Sequence, residues 1–112
     1  MGKTIGEWQK EVYQLAVTKG WHNDPGEHKL PIYLINIHGE ISEAWEEWRA
    51  NHKPDELYYD GDKPLGIGVE LADAFIRILD TCEAVGIDLE KYVDLKHAFN
   101  KTRSVRHGGK RA

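Results

Sequence analysis

Apolar residues recur at helical spacing in four segments of the chain, and two of these segments carry a narrow charged seam. In the first, Ile5, Trp8, Val12, Leu15 and Ala16 form one face, Thr4 with Glu7 makes a capping box, and Gly20 marks the end. The second starts at Pro31, which suits a first helical turn, and runs to about Ala50. The third runs from about Ile67 to Val85 and stops at Gly86, and Asp88 caps a fourth that continues to about Arg103. The stretch WHNDPGEHK reads as a loop, and KPDELYYDGDKPLG as a connector in which YY beside DG suits a short hairpin.

The seams are the anomaly. In the third segment Glu70, Asp73, Arg77 and Asp80 fall within an arc of about 80°, while apolar residues fill about 220° of the circumference, far more than a surface helix needs. Such a helix is expected to be covered from several sides, with help from a second copy of the chain. In the second segment Asn36, Glu40, Glu43 and Glu47 lie within about 60°, bordered by a face that includes Leu34, Ile37, Ile41, Ala44 and Trp48, read as the core side. Like charges one turn apart destabilise a helix, and more so when shielded from water, so a cation would offset their repulsion.

Length and composition set the frame. At 112 residues, 40% hydrophobic and 30% charged, the chain is sized for a single all-α domain over residues 1–103 with a basic tail, 104–112. One cysteine, Cys82, excludes an internal disulfide, and its place on the apolar side of its helix reads as core packing. The sequence has no apolar run of membrane-spanning length and no leader-like start, so a soluble cytoplasmic protein with no membrane partner is expected. The net charge of -4 hides an asymmetry: all 19 acids lie before residue 95, while Lys96, Lys101, Arg103, Arg106, Lys110 and Arg111 follow it. A basic tail can serve nucleic acid, but the acidic remainder opposes long duplex contact.

The carboxylates suggest the chemistry. Glu40 and Glu43 are one turn apart, as are Glu70 and Asp73, and packing the two helices side by side would bring four carboxylates together. Oxygen-only ligands suit Mg²⁺ or Mn²⁺, which retain sites for phosphate oxygens. The sequence has no cysteine-histidine cluster for zinc and no Glu-x-x-His for a di-iron bundle. HGGK lacks P-loop spacing, and GIGVEL lacks the third glycine and preceding strand of a dinucleotide site. On the fourth segment Lys96, Asn100 and Arg103 share an arc of about 120° with Leu89, Tyr92, Val93 and Phe99, read as an inward face that suits phosphate, while Glu90, His97 and Lys101 face away. Arg77 and Asp80 are expected to pair with neighbouring charges and hold the carboxylates. Trp21 and His22 either stack on a base or pack at a helix end.

The pair Glu40-x-x-Glu43 and Glu70-x-x-Asp73, separated by 26 residues, resembles the signature of the MazG-like all-α nucleoside triphosphate pyrophosphohydrolases. Lys96, Asn100 and Arg103 match that family's K-x-x-x-N-x-x-R run, and RHGGK is similar to tails of its short members. The resemblance implies a four-helix bundle completed as a homodimer or homotetramer. It further implies Mg²⁺, with Mn²⁺ as a substitute, on Glu40, Glu43, Glu70 and Asp73 as metal-binding and catalytic residues. Lys96, Asn100, Arg103 and Arg106 would bind the substrate. The implied reaction cleaves an NTP or dNTP between the α and β phosphates to give a monophosphate and pyrophosphate. The alternative is a catalytically silent nucleotide or metal sensor with the same carboxylates.

Overall fold

Each helix begins and ends where local chemistry stops the backbone from continuing, and the computed structural model, which describes residues 2–103, is mostly helical as a result. Helix α1, Ile5–Thr18, opens on the reciprocal capping box of Thr4 and Glu7, which satisfies two otherwise unpaired amides. A short 3-10 turn, Glu27–Lys29, leads into α2, Leu30–Arg49, with proline in its first turn. Two three-residue strands, β1 (Tyr58–Asp60) and β2 (Lys63–Leu65), pair antiparallel with Tyr58 opposite Leu65. Helix α3, Ile67–Val85, ends at Gly86 in the left-handed conformation, and Asp88 caps α4, Leu89–Lys101.

The joint between hairpin and α3 is tight. Gly66 has φ of 139° and lies so close to the carbonyl of Glu56 that a Cβ would collide with it. Its own carbonyl accepts from the amide of Glu70 at 3.0 Å, the first helical bond of α3. The sequence fixes where α3 starts, and the hairpin fixes how it is approached.

Helix α3 is the centre of the fold, with α2 along one side and α1 along another. The buried apolar residues are few and mostly small: Ala16, Ala44, Ala74, Leu79 and Cys82. Small side chains allow helix axes to approach closely, but they bury little apolar area at about 25 cal/mol per Å². Leu71, Phe75 and Ile76 on α3 remain exposed, so α1 and α2 do not cover its wide apolar arc. Two expectations change here. On α2, Glu40 and Ala44 are buried and Ile37 and Glu47 half-buried, so of the face read as core Ala44 is inward as expected while Leu34, Ile41 and Trp48 lie exposed, and part of the acidic seam turns inward in their place. Helical spacing identifies a stripe but not the partner that covers it.

The second change concerns α4. It packs against α1 through its first turn, where Glu90 accepts from the amide of Gly6 at 3.0 Å and the amide of Leu89 donates to buried Gln9 at 3.3 Å. Gln9 also donates to Glu83 at 2.9 Å and to the carbonyl of Ile87 at 2.7 Å, joining α1, α3 and α4 with one side chain. Beyond that turn every residue of α4 from Lys91 to Lys101 is exposed. The face carrying Tyr92, Val93, Lys96 and Phe99 is therefore not inward within the chain, and Glu90 does not face away. The reason is mechanical: the joint fixes only the first turn.

Candidate functional site

The side-by-side packing of α2 and α3 brings three acids together. Oxygens of Glu40, Glu43 and Glu70 all lie within 4.8 Å of one another. Glu40 and Glu43 come from consecutive turns of α2, and Glu70 lies in the first turn of α3. Oxygens around one Mg²⁺ stand about 3 to 4 Å apart, somewhat closer than the 4.8 Å that bounds this trio. Asp73 is one turn further along α3, outside the trio, close enough to Glu40 for the two charges to interact.

The electrostatics divide the trio. Glu40 is buried, which by itself pushes its carboxyl up, but the hydrogen bond from Arg77 and its guanidinium charge, with the neighbouring Glu43 and Glu70 side chains, outweigh burial and hold it below the usual range. Arg77 Nε donates to Glu40 Oε1 at 2.6 Å. Glu70 goes the other way. Desolvation, then Glu43 and the charges of Asp73 and Glu40, push its carboxyl up to about 7. Its Oε2 is shielded from solvent and has no hydrogen-bond partner among the described residues. An orphaned buried oxygen costs on the order of 1–3 kcal/mol, and a hard cation is a partner that would satisfy it. Burial and Glu40 also raise Asp73, against the opposing charges of Arg77 and Lys63.

Two supports flank the trio. At one end, the His22 ring is 2% exposed and bridges Asp80, at 2.7 Å from Nε2, and the hydroxyl of Tyr33, at 3.3 Å from Nδ1. A neutral ring that donates from Nε2 can accept from Tyr33 at Nδ1, which satisfies both nitrogens. His22 thus packs at the helix end, while Trp21 beside it is exposed and lines a 300 Å³ cavity with Arg77 and Asp80. At the other end, the hydroxyl of Tyr58 meets both oxygens of Glu47 at 2.7 and 2.8 Å, which pushes the phenol up to about 12. The His52 ring stacks on Tyr58 with centroids 4.5 Å apart. Glu43, Glu47, His52, Tyr58 and Glu70 share a cavity of about 380 Å³.

Of the four carboxylates expected to converge, Glu40, Glu43 and Glu70 come together and Asp73 stands a turn away, Arg77 pairs with Glu40 as expected, and the sequence reading did not single out Tyr58, His52 or Lys63 on and beside the hairpin. Tyr58 was legible only as a turn neighbour, because its partner Glu47 lies 11 residues back. The substrate-binding candidates are placed apart from the acids. Lys96 and Asn100 line a shallow 360 Å³ depression with Leu89, Tyr92, Val93 and His97, and the Lys96 ammonium lies 4.9 Å over the Phe99 ring. Arg103 is exposed just beyond α4, and Arg106 lies outside the described residues. No helix among the described residues is long and apolar enough to cross a membrane. No family model, curated protein or solved structure matches the chain.

Proposed function

We propose that this chain is a Mg²⁺-dependent nucleoside triphosphate pyrophosphohydrolase that works as a homodimer or homotetramer. The observation that carries the reading is the acidic trio with an orphaned, solvent-shielded oxygen on Glu70. A site of this kind binds a hard cation and leaves room in the adjoining 380 Å³ cavity for the oxygens of a polyphosphate. Bound there, Mg²⁺ would neutralise phosphate charge and acidify a water. Arg77 fixes one oxygen of Glu40, so that residue acts as an immovable ligand. Glu43 and Glu70, without a cation of their own among the described residues, would complete the ligand set, and Asp73 would lie at its edge beside Glu40. The proton released as water attacks the α phosphorus would go to a carboxylate of this group. Lys96, Asn100, Arg103 and Arg106 would meet the departing pyrophosphate.

The test is a panel of NTPs and dNTPs with Mg²⁺, then with Mn²⁺, read as pyrophosphate and monophosphate released. Stoichiometric release of both is expected. Binding of metal or nucleotide without release would favour a sensor, and failure to bind either would remove the reading.

A further inference from the structure

We infer that Tyr58 is a positioning residue, whose hydroxyl ties the hairpin to α2 and thereby holds Glu70 against Glu43. The inference rests on the reading of these acids as a metal site, and adds to it the means by which they are kept together before metal binds. Like charges repel, so Glu43 and Glu70 tend to part, and Glu70 sits in the first turn of α3, where a helix yields most easily. That turn needs a tie to α2.

The hairpin supplies the tie through one side chain. From Lys53 to Pro64 every residue except Tyr58 is exposed. The Tyr58 hydroxyl meets both oxygens of Glu47 at 2.7 and 2.8 Å, and among the described residues no other side chain of the two strands is hydrogen-bonded to a helix. Glu47 lies one turn of α2 beyond Glu43. In the other direction, Tyr58 stands opposite Leu65 in the sheet register, Gly66 follows, and the Gly66 carbonyl accepts from the amide of Glu70 at 3.0 Å. A line of contacts thus runs from Glu47 through Tyr58, Leu65 and Gly66 to Glu70, and forms a bracket that spans the gap between the two acids. His52 stiffens it. Its ring lies within 11° of parallel to that of Tyr58, and its Nδ1 is 2.9 Å from the carboxylate of Glu56, whose backbone carbonyl lies against Gly66. A hydroxyl bound to an ionised carboxylate makes one of the stronger hydrogen bonds, so the tie withstands the repulsion it opposes. By engaging both Glu47 oxygens it also leaves the ion to Glu40, Glu43 and Glu70.

Two measurements on the full-length protein decide it. In the first, Mg²⁺ is titrated into metal-free protein by calorimetry, below the onset of thermal unfolding of each variant. Tyr58→Phe, which keeps the ring and its stacking on His52, should weaken Mg²⁺ binding at least about tenfold, and Glu47→Ala should do the same. Combining the two should cost no more than either alone, because both remove one bond. Glu47→Gln retains an oxygen that accepts from the same hydroxyl and should stay close to wild type. Affinity unchanged or raised in Tyr58→Phe would overturn the proposal, as would a Glu47→Gln chain as weak as Glu47→Ala, which would make Glu47 a ligand. The second measurement needs neither metal nor turnover. Amide hydrogen exchange at Glu70 should be at least about tenfold faster in Tyr58→Phe, while the amide of Trp8, which opens α1 by donating to the Thr4 carbonyl, should exchange as in wild type. Equal exchange at Glu70 in the two proteins would refute the tie. If wild type binds no Mg²⁺ while exchange at Glu70 responds to Tyr58→Phe, the metal and hydrolase reading fails and the tie stands.

Discussion

The acidic seam between α2 and α3 has two halves built from the same residue types and treated in opposite ways. Toward the end of α3, Asp80 is matched with His22, and Arg77 with Glu40, inside the chain. Toward the start of α3, Glu43 and Glu70 face each other with no cation paired to either among the described residues. The matched half resembles a structural ion-pair network, whose charges are settled at folding. The unmatched half holds its charges in a like-sign cluster that costs stability. Stability and chemistry should therefore respond to substitutions in different halves.

The largest expected effect tests that division on the unmatched half. Glu43→Gln or Glu70→Gln should lower turnover by roughly three orders of magnitude. The melting temperature without metal should stay the same or rise slightly, because each change relieves like-charge repulsion. Steady-state kinetics paired with melts in a chelator measure both, and a large loss of metal-free stability in the two variants would make the acids structural. The matched half should behave in reverse. Asp80→Ala leaves the His22 ring buried without its partner and should cost about 2–4 kcal/mol in denaturant unfolding. Its Mg²⁺ affinity by calorimetry should match wild type, and a lost affinity would mean that both halves belong to the site.

The smallest effect sharpens the contrast through pH. The Glu70 carboxyl is pushed up to about 7 in the folded protein from its ordinary 4.5. The folded state therefore holds the extra proton between those values, and metal-free stability falls as pH rises through that window, by about 1–3 kcal/mol. Melts without metal should thus be higher at pH 5 than at pH 7.5, and the Glu70→Gln variant should lack this component. Mg²⁺ at 100 times its dissociation constant should return about 2.7 kcal/mol at pH 7.5. An unchanged wild-type melt on adding Mg²⁺ would remove the cation from the account.

Which parts of this were legible in the sequence follows from the range of the forces involved. The capping box at Thr4, the proline in α2, Gly86 and Asp88 act within a turn, and the helices lie where these residues put them. The trio was legible because two i,i+3 pairs leave few ways for adjacent helices to pack without bringing them together. Asp73 falls outside the trio because one further turn of α3 carries it toward Glu40 and Arg77. Orientation was not legible. The stripe of Leu34, Ile41 and Trp48 is as apolar as a core face, yet it lies exposed while Glu40 and Ala44 are the buried residues of α2. Likewise the polar joint at Gln9, which sets α4, unites residues 74 and 78 positions apart.

One residue without a side chain bears on all of this. Gly66 sits where the hairpin's approach and the first helical bond of α3 meet, with the Glu56 carbonyl filling the space a side chain would need. A methyl group there would force the two backbones apart, and the segment with freedom to yield is the first turn of α3, which carries Glu70. The damage would register as a mispositioned oxygen four residues downstream, in a protein whose acids are all still present. A survey of tolerated substitutions would then rank a glycine with no chemistry of its own among the least replaceable positions in the chain.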